Sequence, residues 1–373
     1  MKVEGDAGYY EWREFEARAG DQVIRYAAKP GLADWDRVDH GACLLAESIE
    51  VGQGDRLIHF HAGAGIAVAS AALRGAQATA RDDNIVAVEA ARRTLALNGV
   101  ASSMPAPVYD VAAVTLPKAR DVVRRALADA ARTLKPGGRI YLVGANRSGI
   151  KSAIDDLHSI FGAAEVVAYG KGHRVAVAVR PDRVAENDGD GFAETQVDVR
   201  GSRWRVVSGP GVFARDRLDE GTRRLIEAMT FRAGESLLDL GCGCGIVGLV
   251  AAQMGSRVTY VDANAAAIEA TRRTLTANGI RDADVIWSDC ASAVADRHFD
   301  VVATNPPFHQ GGGTDYLVAR QFVRDADRVL RPGGRLFLVA NRFLRYEREM
   351  SGLFSDARVI FEDGRFRVFE AVK

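Results

Sequence analysis

The chain repeats itself. Shifted by 180 positions, Leu57-Ile58-His59-Phe60-His61-Ala62-Gly63-Ala64-Gly65-Ile66 falls on Leu237-Leu238-Asp239-Leu240-Gly241-Cys242-Gly243-Cys244-Gly245-Ile246. At the same offset Asp82 and Asn84 fall on Asp262 and Asn264, Arg92-Arg93-Thr94-Leu95 on Arg272-Arg273-Thr274-Leu275, and Asn98-Gly99 on Asn278-Gly279. With small gaps, Leu134-Lys135-Pro136-Gly137-Gly138-Arg139 matches Leu330-Arg331-Pro332-Gly333-Gly334-Arg335. Blocks in one order and nearly one register mark two copies of one supersecondary unit. At 373 residues, 47% of them hydrophobic, the chain has the length and the apolar content for two cores. Ala185 to Gly191 is polar, glycine-bearing and free of apolar period. The expected division is a first domain over 1–184, a linker over 185–193 and a second domain over 194–373.

Each copy alternates apolar strands with helical periods. In the second, Ser236–Leu240 is a short apolar run, Gly248–Met254 is helical, and Arg257–Asp262 is the next strand. Ala265–Asn278 places Ala267, Ile268, Ala270 and Leu275 at helical spacing, and Asn278-Gly279 closes the helix. Strands follow at Asp284–Asp289, Phe299–Ala303 and Gly334–Ala340, with a helix over Gln321–Leu330 stopped by Pro332-Gly333-Gly334. This order predicts an α/β fold with a mostly parallel sheet and helices on both faces. Ligands of such sheets bind beyond the carboxyl ends of the strands, where the strand order reverses.

Formal net charge is zero, with 49 basic and 49 acidic side chains, which counts mildly against a polyanionic partner on global charge alone. Local arginines gather at Arg200, Arg203, Arg205, Arg215 and Arg217, and again at Arg342, Arg345 and Arg348. Solvated faces are their plain explanation. No apolar run has the length of a membrane span, and Met1–Asp6 lacks the core of a signal peptide. Four cysteines do not make a disulfide framework. The expectation is a cytoplasmic protein.

Asp239-Leu240-Gly241-Cys242-Gly243-Cys244-Gly245 reads as a strand followed by a glycine turn that opens a helix. Its G-x-G-x-G spacing differs from the G-x-G-x-x-G of dinucleotide cradles. Asp262, closing the second strand, is placed to accept both hydroxyls of a ribose, and Asp289, closing the third, to accept from an exocyclic amine. Thr304-Asn305-Pro306-Pro307-Phe308 closes the fourth. The prolines stiffen the backbone and donate nothing. The Asn305 side chain and a neighbouring carbonyl make paired acceptors for a planar NH₂ group, and Phe308 offers a stacking surface. A proline-stiffened loop with a buried ring is the plain alternative for this motif by itself.

Together these residues resemble a class I S-adenosylmethionine-dependent methyltransferase. The second half is similar to the family of small-subunit (16S) ribosomal RNA guanine-N2 methyltransferases, itself a tandem of two such domains. The likeness is carried by Gly209-Pro210-Gly211-Val212-Phe213, Leu218-Asp219-Glu220-Gly221-Thr222, Asn305-Pro306-Pro307-Phe308-His309-Gln310-Gly311, Val339–Glu347 and Gly364–Val368. It implies two Rossmann-like domains with seven-stranded sheets. It also implies a cofactor site drawn from Asp239, Gly241, Cys242, Gly243, Gly245, Asp262, Ala263, Asp289, Cys290, Gly221, Thr222 and Asn305. Asn305, Pro306, Pro307 and Phe308 would grip the guanine, and Phe213, Arg215, Arg342 and Arg345 would meet RNA. The implied partner is ribosomal RNA or the small subunit, and a fused duplicate is expected to be a monomer. A large-subunit guanine-N2 enzyme, a protein glutamine-amide methyltransferase and a non-catalytic RNA-binding module remain alternatives.

In the first copy His59 and His61 replace Asp239 and Gly241, and Thr115-Leu116-Pro117-Lys118 replaces the Asn-Pro-Pro-Phe motif. That copy is expected not to catalyse but to support its twin and hold substrate, through Arg147, Lys151, Lys171, His173 and Arg174. No metal is expected. His59-x-His61 lacks a third ligand, and Cys242-x-Cys244 is too closely spaced for a zinc pair.

Overall fold

The computed structural model describes residues 8–184, 189–213, 217–307 and 313–373. Two compact units, Met1–Gly191 and Phe192–Lys373, divide the chain. The first runs β1 (Arg13–Ala19), β2 (Gln22–Ala28), α1 (His40–Ser48), β3 (Arg56–Phe60), α2 (Ile66–Leu73), β4 (Gln77–Arg81) and α3 (Ile85–Leu97). It continues with β5 (Tyr109–Thr115), α4 (Arg120–Thr133), β6 (Leu134–Ala145), α5 (Ile150–Phe161), β7 (Glu165–Gly170) and β8 (His173–Val179). The second runs β9 (Ala193–Val199), β10 (Ser202–Ser208), α6 (Glu220–Ala228), β11 (Ser236–Leu240), α7 (Ile246–Gln253), β12 (Arg257–Asp262) and α8 (Ala265–Ala277). After β13 (Asp284–Trp287) and a 3₁₀ turn (Ser292–Val294) come β14 (Phe299–Thr304), α9 (Gly313–Val329), β15 (Leu330–Asn341), α10 (Glu347–Met350), β16 (Asp356–Glu362) and β17 (Phe366–Val372).

The second unit carries a seven-stranded sheet in the order β13-β12-β11-β14-β15-β17-β16. The first five are parallel, and β17 runs antiparallel to both β15 and β16. The central strand β11 lies between β12 and β14, so the chain reverses its winding there and opens a crevice at the strand ends. Leu237, Leu238 and Leu240 of β11 are all but completely buried, as a strand covered on both faces requires.

The sheet of the first unit has six strands among the described residues, β4-β3-β5-β6-β8-β7, which corrects the expected seven. The absent strand is the counterpart of β13. In its place run Met104-Pro105-Ala106-Pro107, and two prolines cannot donate to a ladder.

The repeated Arg-Arg-Thr-Leu and Asn-Gly blocks have a structural cause. The hydroxyl of Thr274 on α8 accepts from the Val207 N–H at 2.9 Å, and Asn278 Nδ2 donates to the Arg205 carbonyl at 2.6 Å. Thr94 and Asn98 bond β2 in the same way, with Ala27 N–H at 3.1 Å and the Arg25 carbonyl at 2.7 Å. These bonds dock a two-stranded hairpin (β1–β2, β9–β10) on each helix. Asn278 also caps α8, and Gly279 follows at φ 83°. Phe192, at the end of the expected linker, packs against Val212, Ala266 and Ala270.

Helix α9 and strand β15 depart furthest from the sequence pattern, and β13 ends at Trp287 rather than Asp289. Helix α9 starts at Gly313 and ends at Val329, and β15 begins at Leu330, because Leu330 pairs with Phe299 before a register shift that accommodates Pro332-Gly333. The expected helix stop is therefore an irregularity inside a strand.

Glycine at 248 is required by its neighbour. A Cβ there would lie 2.2 Å from Tyr260 Cε1 of β12. The first copy has Val68 and Ala80 at these two places, an exchange of volume between helix and strand. Gly248→Ala is expected to destabilise the second unit by about 1–3 kcal/mol through overpacking, measured as a lower denaturant midpoint in tryptophan fluorescence.

Candidate active site

The crevice of the second unit is built from the ends of β11, β12, β13 and β14. After β11 the chain turns through Gly241, Gly243 and Gly245 at φ 75°, 58° and 78°, left-handed values that side chains disfavour. A Cβ at Gly241 would lie 2.9 Å from Phe322 and one at Gly245 2.8 Å from Thr271, whereas the same position on Gly243 faces open space. Gly243 therefore gives a ligand access to backbone, and the other two give the turn its shape. Thr271 of α8 donates its hydroxyl to the Gly243 carbonyl at 3.1 Å.

Asp262 ties this loop to the next strand. Its Oδ2 accepts from the Gly243 N–H at 2.9 Å and its Oδ1 from the Asn264 N–H at 2.8 Å. Each oxygen keeps further lone-pair capacity for a ligand hydroxyl. Burial pushes its carboxyl up, and the backbone N–H groups of Asn264, Gly243 and Ala263 oppose that. Ala263, next in sequence, accepts from Trp287 Nε1 at 2.8 Å, so the aromatic side chain ending β13 pins this turn.

Asp239 is buried, and its Oδ2 accepts from the Gly248 N–H at 2.8 Å, joining the end of β11 to α7. Cys242 is buried against the Thr271 hydroxyl, and Cys244 packs inward as well. Burial raises both thiols, Cys244 to about 11. They line the loop as small neutral groups. Asp289 lies two residues past the end of β13 and Cys290 follows at φ 48°. Helix α9 holds this turn through Asp325, whose Oδ2 accepts from the Ala291 N–H at 2.9 Å.

Asn305 follows β14 directly. Thr304 donates its hydroxyl to the Leu240 carbonyl at 2.7 Å, locking the ends of β14 and β11 together. Asn305 Nδ2 donates to Asp219 Oδ2 at 3.0 Å and to Thr222 Oγ1 at 2.9 Å. Among the described residues no hydrogen bond reaches its Oδ1. A carboxylate only accepts, so the amide nitrogen must face Asp219 and the amide oxygen must face the crevice. Asp219 is also the N-cap of α6, accepting from the Thr222 N–H at 2.8 Å. Gly221 lets this corner close, since a Cβ there would lie 3.1 Å from both Asp219 Oδ2 and Phe366 Cε1. Pro306 is buried and Pro307 exposed.

The structure thus brings Asp239, Gly241, Cys242, Gly243, Gly245, Asp262, Ala263, Asp289, Cys290, Gly221, Thr222 and Asn305 to one sheet edge. Phe308 and Arg215 lie outside the described residues. Phe213 is 63% exposed on the β12 flank, beside Val212, which packs on α8. Arg342 and Arg345 follow β15 on the opposite flank. Both are exposed, and Arg342 pairs with Glu362 at 2.9 Å. Sequence reasoning assigned no role to Asp219, Thr271, Trp287, Thr304 or Asp325. Of these only Asp219 left a signal, the Asp-x-x-Thr spacing of a helix N-cap.

At the corresponding edge of the first unit, histidines stand at the places of Asp239 and Gly241. His59 is fully buried, its Nε2 is 2.9 Å from Thr115 Oγ1, and its Nδ1 has no partner among the described residues. Burial lowers it to about 3, so it is neutral. By strand register Thr115 stands where Asn305 stands in the second unit. His61, at φ 55°, lines a small recess together with Asp82, Asp83 and Arg125.

A family model described as the methyltransferase small domain matches residues 24–177 and again 203–370. This chain belongs to the methyltransferase small domain family. The two matched stretches are the two repeats. Among relatives in that family, ribosomal RNA small subunit methyltransferase C of Hahella chejuensis is 36% identical over 297 residues, 77% of this chain and 85% of that protein. Its namesake from Yersinia enterocolitica is 37% identical over 260 residues, covering 68% and 72%. A solved T. thermophilus structure, a 16S rRNA N2 G1207 methyltransferase in complex with AdoMet and guanosine, superposes with TM-score 0.83 at 28% identity, covering 98% of this chain and 99% of that one. The expected kinship and the tandem α/β methyltransferase fold are borne out.

Burial raises the Asp239 carboxyl from 3.8 to about 7. The folded chain therefore keeps a proton that the unfolded chain has released. This contribution to stability is complete below about pH 4 and is lost as pH rises toward 7. Asp239→Asn keeps an acceptor for Gly248 and cannot titrate. The stability of the parent relative to this variant is expected to fall across that window, measured by denaturant unfolding at each pH.

Proposed function

We propose that this chain transfers a methyl group from S-adenosylmethionine to the exocyclic N2 of a guanosine in small-subunit ribosomal RNA. The observation that carries this reading is the amide of Asn305, held with its nitrogen spent and its oxygen turned into the crevice beside the glycine loop. The names of the relatives, and the AdoMet and guanosine bound to the T. thermophilus enzyme, support it. The nucleotide we assign is the one equivalent to that named for the T. thermophilus enzyme.

The residues present fit such a cofactor. Gly243 faces open space, Asp262 has acceptor capacity for the ribose hydroxyls, and Asp289 stands where the adenine amine would lie. Gly241, Cys242, Gly245, Ala263 and Cys290 complete the wall, with Gly221 and Thr222 at the methionine end. The cofactor supplies an electrophilic methyl on a sulfonium.

The chain's own work is placement. An aryl amine is a poor nucleophile because its lone pair is delocalised into the ring. Asn305 Oδ1 and the Pro306 carbonyl accept from the two amine hydrogens and draw the nitrogen toward tetrahedral geometry, its lone pair aimed across the crevice. The same acceptors stabilise the positive charge that develops on that nitrogen, and its proton leaves after transfer, so no strong base is required. Phe308 stacks on the base, contributing about 1–3 kcal/mol. Phe213 on one flank, Arg342 and Arg345 on the other, and Arg215 contact RNA around the extruded nucleotide.

The first unit serves as a non-catalytic partner that supports substrate through Arg147, Lys151, Lys171, His173 and Arg174. We take the chain to act as a monomer in the cytoplasm.

Incubation with labelled S-adenosylmethionine and small ribosomal subunits or their RNA is expected to place label on guanosine N2. Label in protein with none in RNA would overturn the reading. Asn305→Ala is expected to lower kcat by about 10²–10³-fold, the loss of a transition-state acceptor, with cofactor affinity nearly unchanged in calorimetry. Asp262→Ala is expected to weaken cofactor binding instead.

A further inference from the structure

We infer that Asp219 and Thr222 form a clamp that sets the polarity of Asn305, making them positioning residues for amine recognition. This rests on the methyl-transfer reading above and deepens it. An unrestrained Asn can present either its oxygen or its NH₂ to a substrate, because the two ends have nearly the same shape. Only the oxygen-inward orientation accepts from an exocyclic amine. The opposite orientation would offer donors to an NH₂ group and would favour a carbonyl-bearing ring instead.

The clamp selects between them by charge and by geometry. Asp219 Oδ2 takes three donors at once: the Thr222 N–H at 2.8 Å, the Thr222 hydroxyl at 3.3 Å and Asn305 Nδ2 at 3.0 Å. With its hydrogen directed at Asp219, the Thr222 hydroxyl is left as an acceptor for the second Asn305 hydrogen at 2.9 Å. Both amide hydrogens are therefore consumed. Turning the amide over would set its oxygen against a carboxylate and leave two polar hydrogens without these acceptors.

The first copy separates capping from clamping within the same chain. Asp39, the counterpart of Asp219, still caps α1, accepting from the Ala42 N–H at 2.9 Å. Ala42 stands at the place of Thr222 and Thr115 at the place of Asn305. The Thr115 hydroxyl is engaged with His59 instead. The acid persists where there is no amide to orient, so a helix cap accounts for Asp39. It does not account for the buried hydroxyl of Thr222, which the first copy does without.

The test pairs variants that keep the cap with variants that lose the clamp. Ser caps a helix about as well as Asp but is too short to reach Asn305, and Asn keeps an oxygen at the same reach. Val matches Thr in shape without the hydroxyl. Asp219→Ser and Thr222→Val are expected to lower kcat by about a hundredfold, the cost of a misplaced reacting group. The KM for RNA and the melting temperature should stay near those of the parent in both variants, as should the calorimetric Kd for S-adenosylmethionine in Asp219→Ser, so that the kcat loss in Thr222→Val exceeds any change in its cofactor Kd. Asp219→Asn and Thr222→Ser should restore kcat to within about threefold of the parent. Wild-type kcat in Asp219→Ser and Thr222→Val would overturn the clamp. So would a loss confined to cofactor Kd, which would leave Thr222 with its place in the cofactor wall alone, or a loss confined to melting temperature, which would reduce both residues to capping. A parent enzyme that labels no RNA would instead sink the methyl-transfer reading, so the two failures are told apart.

Discussion

One carboxylate at the end of the second strand organises each half of this chain. Asp262 joins three pieces of backbone: the strand it closes, the glycine loop through Gly243, and the start of α8 through Asn264. Asp82 makes the same two bonds, to Gly63 at 3.2 Å and Asn84 at 3.0 Å. A buried carboxylate is costly unless hydrogen-bonded, and here two backbone donors offset that cost while fixing the shape of the loop. The lock is thus architectural first.

The two copies differ in what surrounds that lock. In the second unit Asp239 turns toward α7, and the space beside Gly243 stays open. In the first, His59 reaches along the sheet edge to Thr115, and His61 lines the recess beside Asp82. The scaffold tolerates both solutions because its hairpin docking, helix caps and strand order do not depend on what fills the crevice. The exchange of Val68 and Ala80 for Gly248 and Tyr260 shows the same tolerance inside the core.

The fold was legible because its signals are local and repeated. Alternating apolar runs, Asn caps and the 180-residue offset each constrain backbone directly. The glycine loop, Asp262 and Asn305 were legible for a related reason, since they sit at strand ends, where the pattern breaks. Asp219 was read only as part of a segment, because its second partner, Asn305, is 86 residues away. Asp325 and Trp287 left no trace at all. A buried acid inside a helix and an aromatic ending a strand both look like ordinary members of their elements, and their bonds to Ala291 and Ala263 exist only after the chain has folded.

The missing seventh strand of the first unit leaves β4 at the margin of its sheet. A bare margin is an invitation to intermolecular strand pairing, the first step of aggregation. Here the flanking stretch with Pro105 and Pro107 runs past it, touching it through the Ser103 N–H and the Ala78 carbonyl at 3.4 Å. A segment that lacks two amide donors can shield that margin without extending the ladder. The absent strand and the two prolines are thus one feature, a stretch that covers the margin but cannot lengthen the sheet.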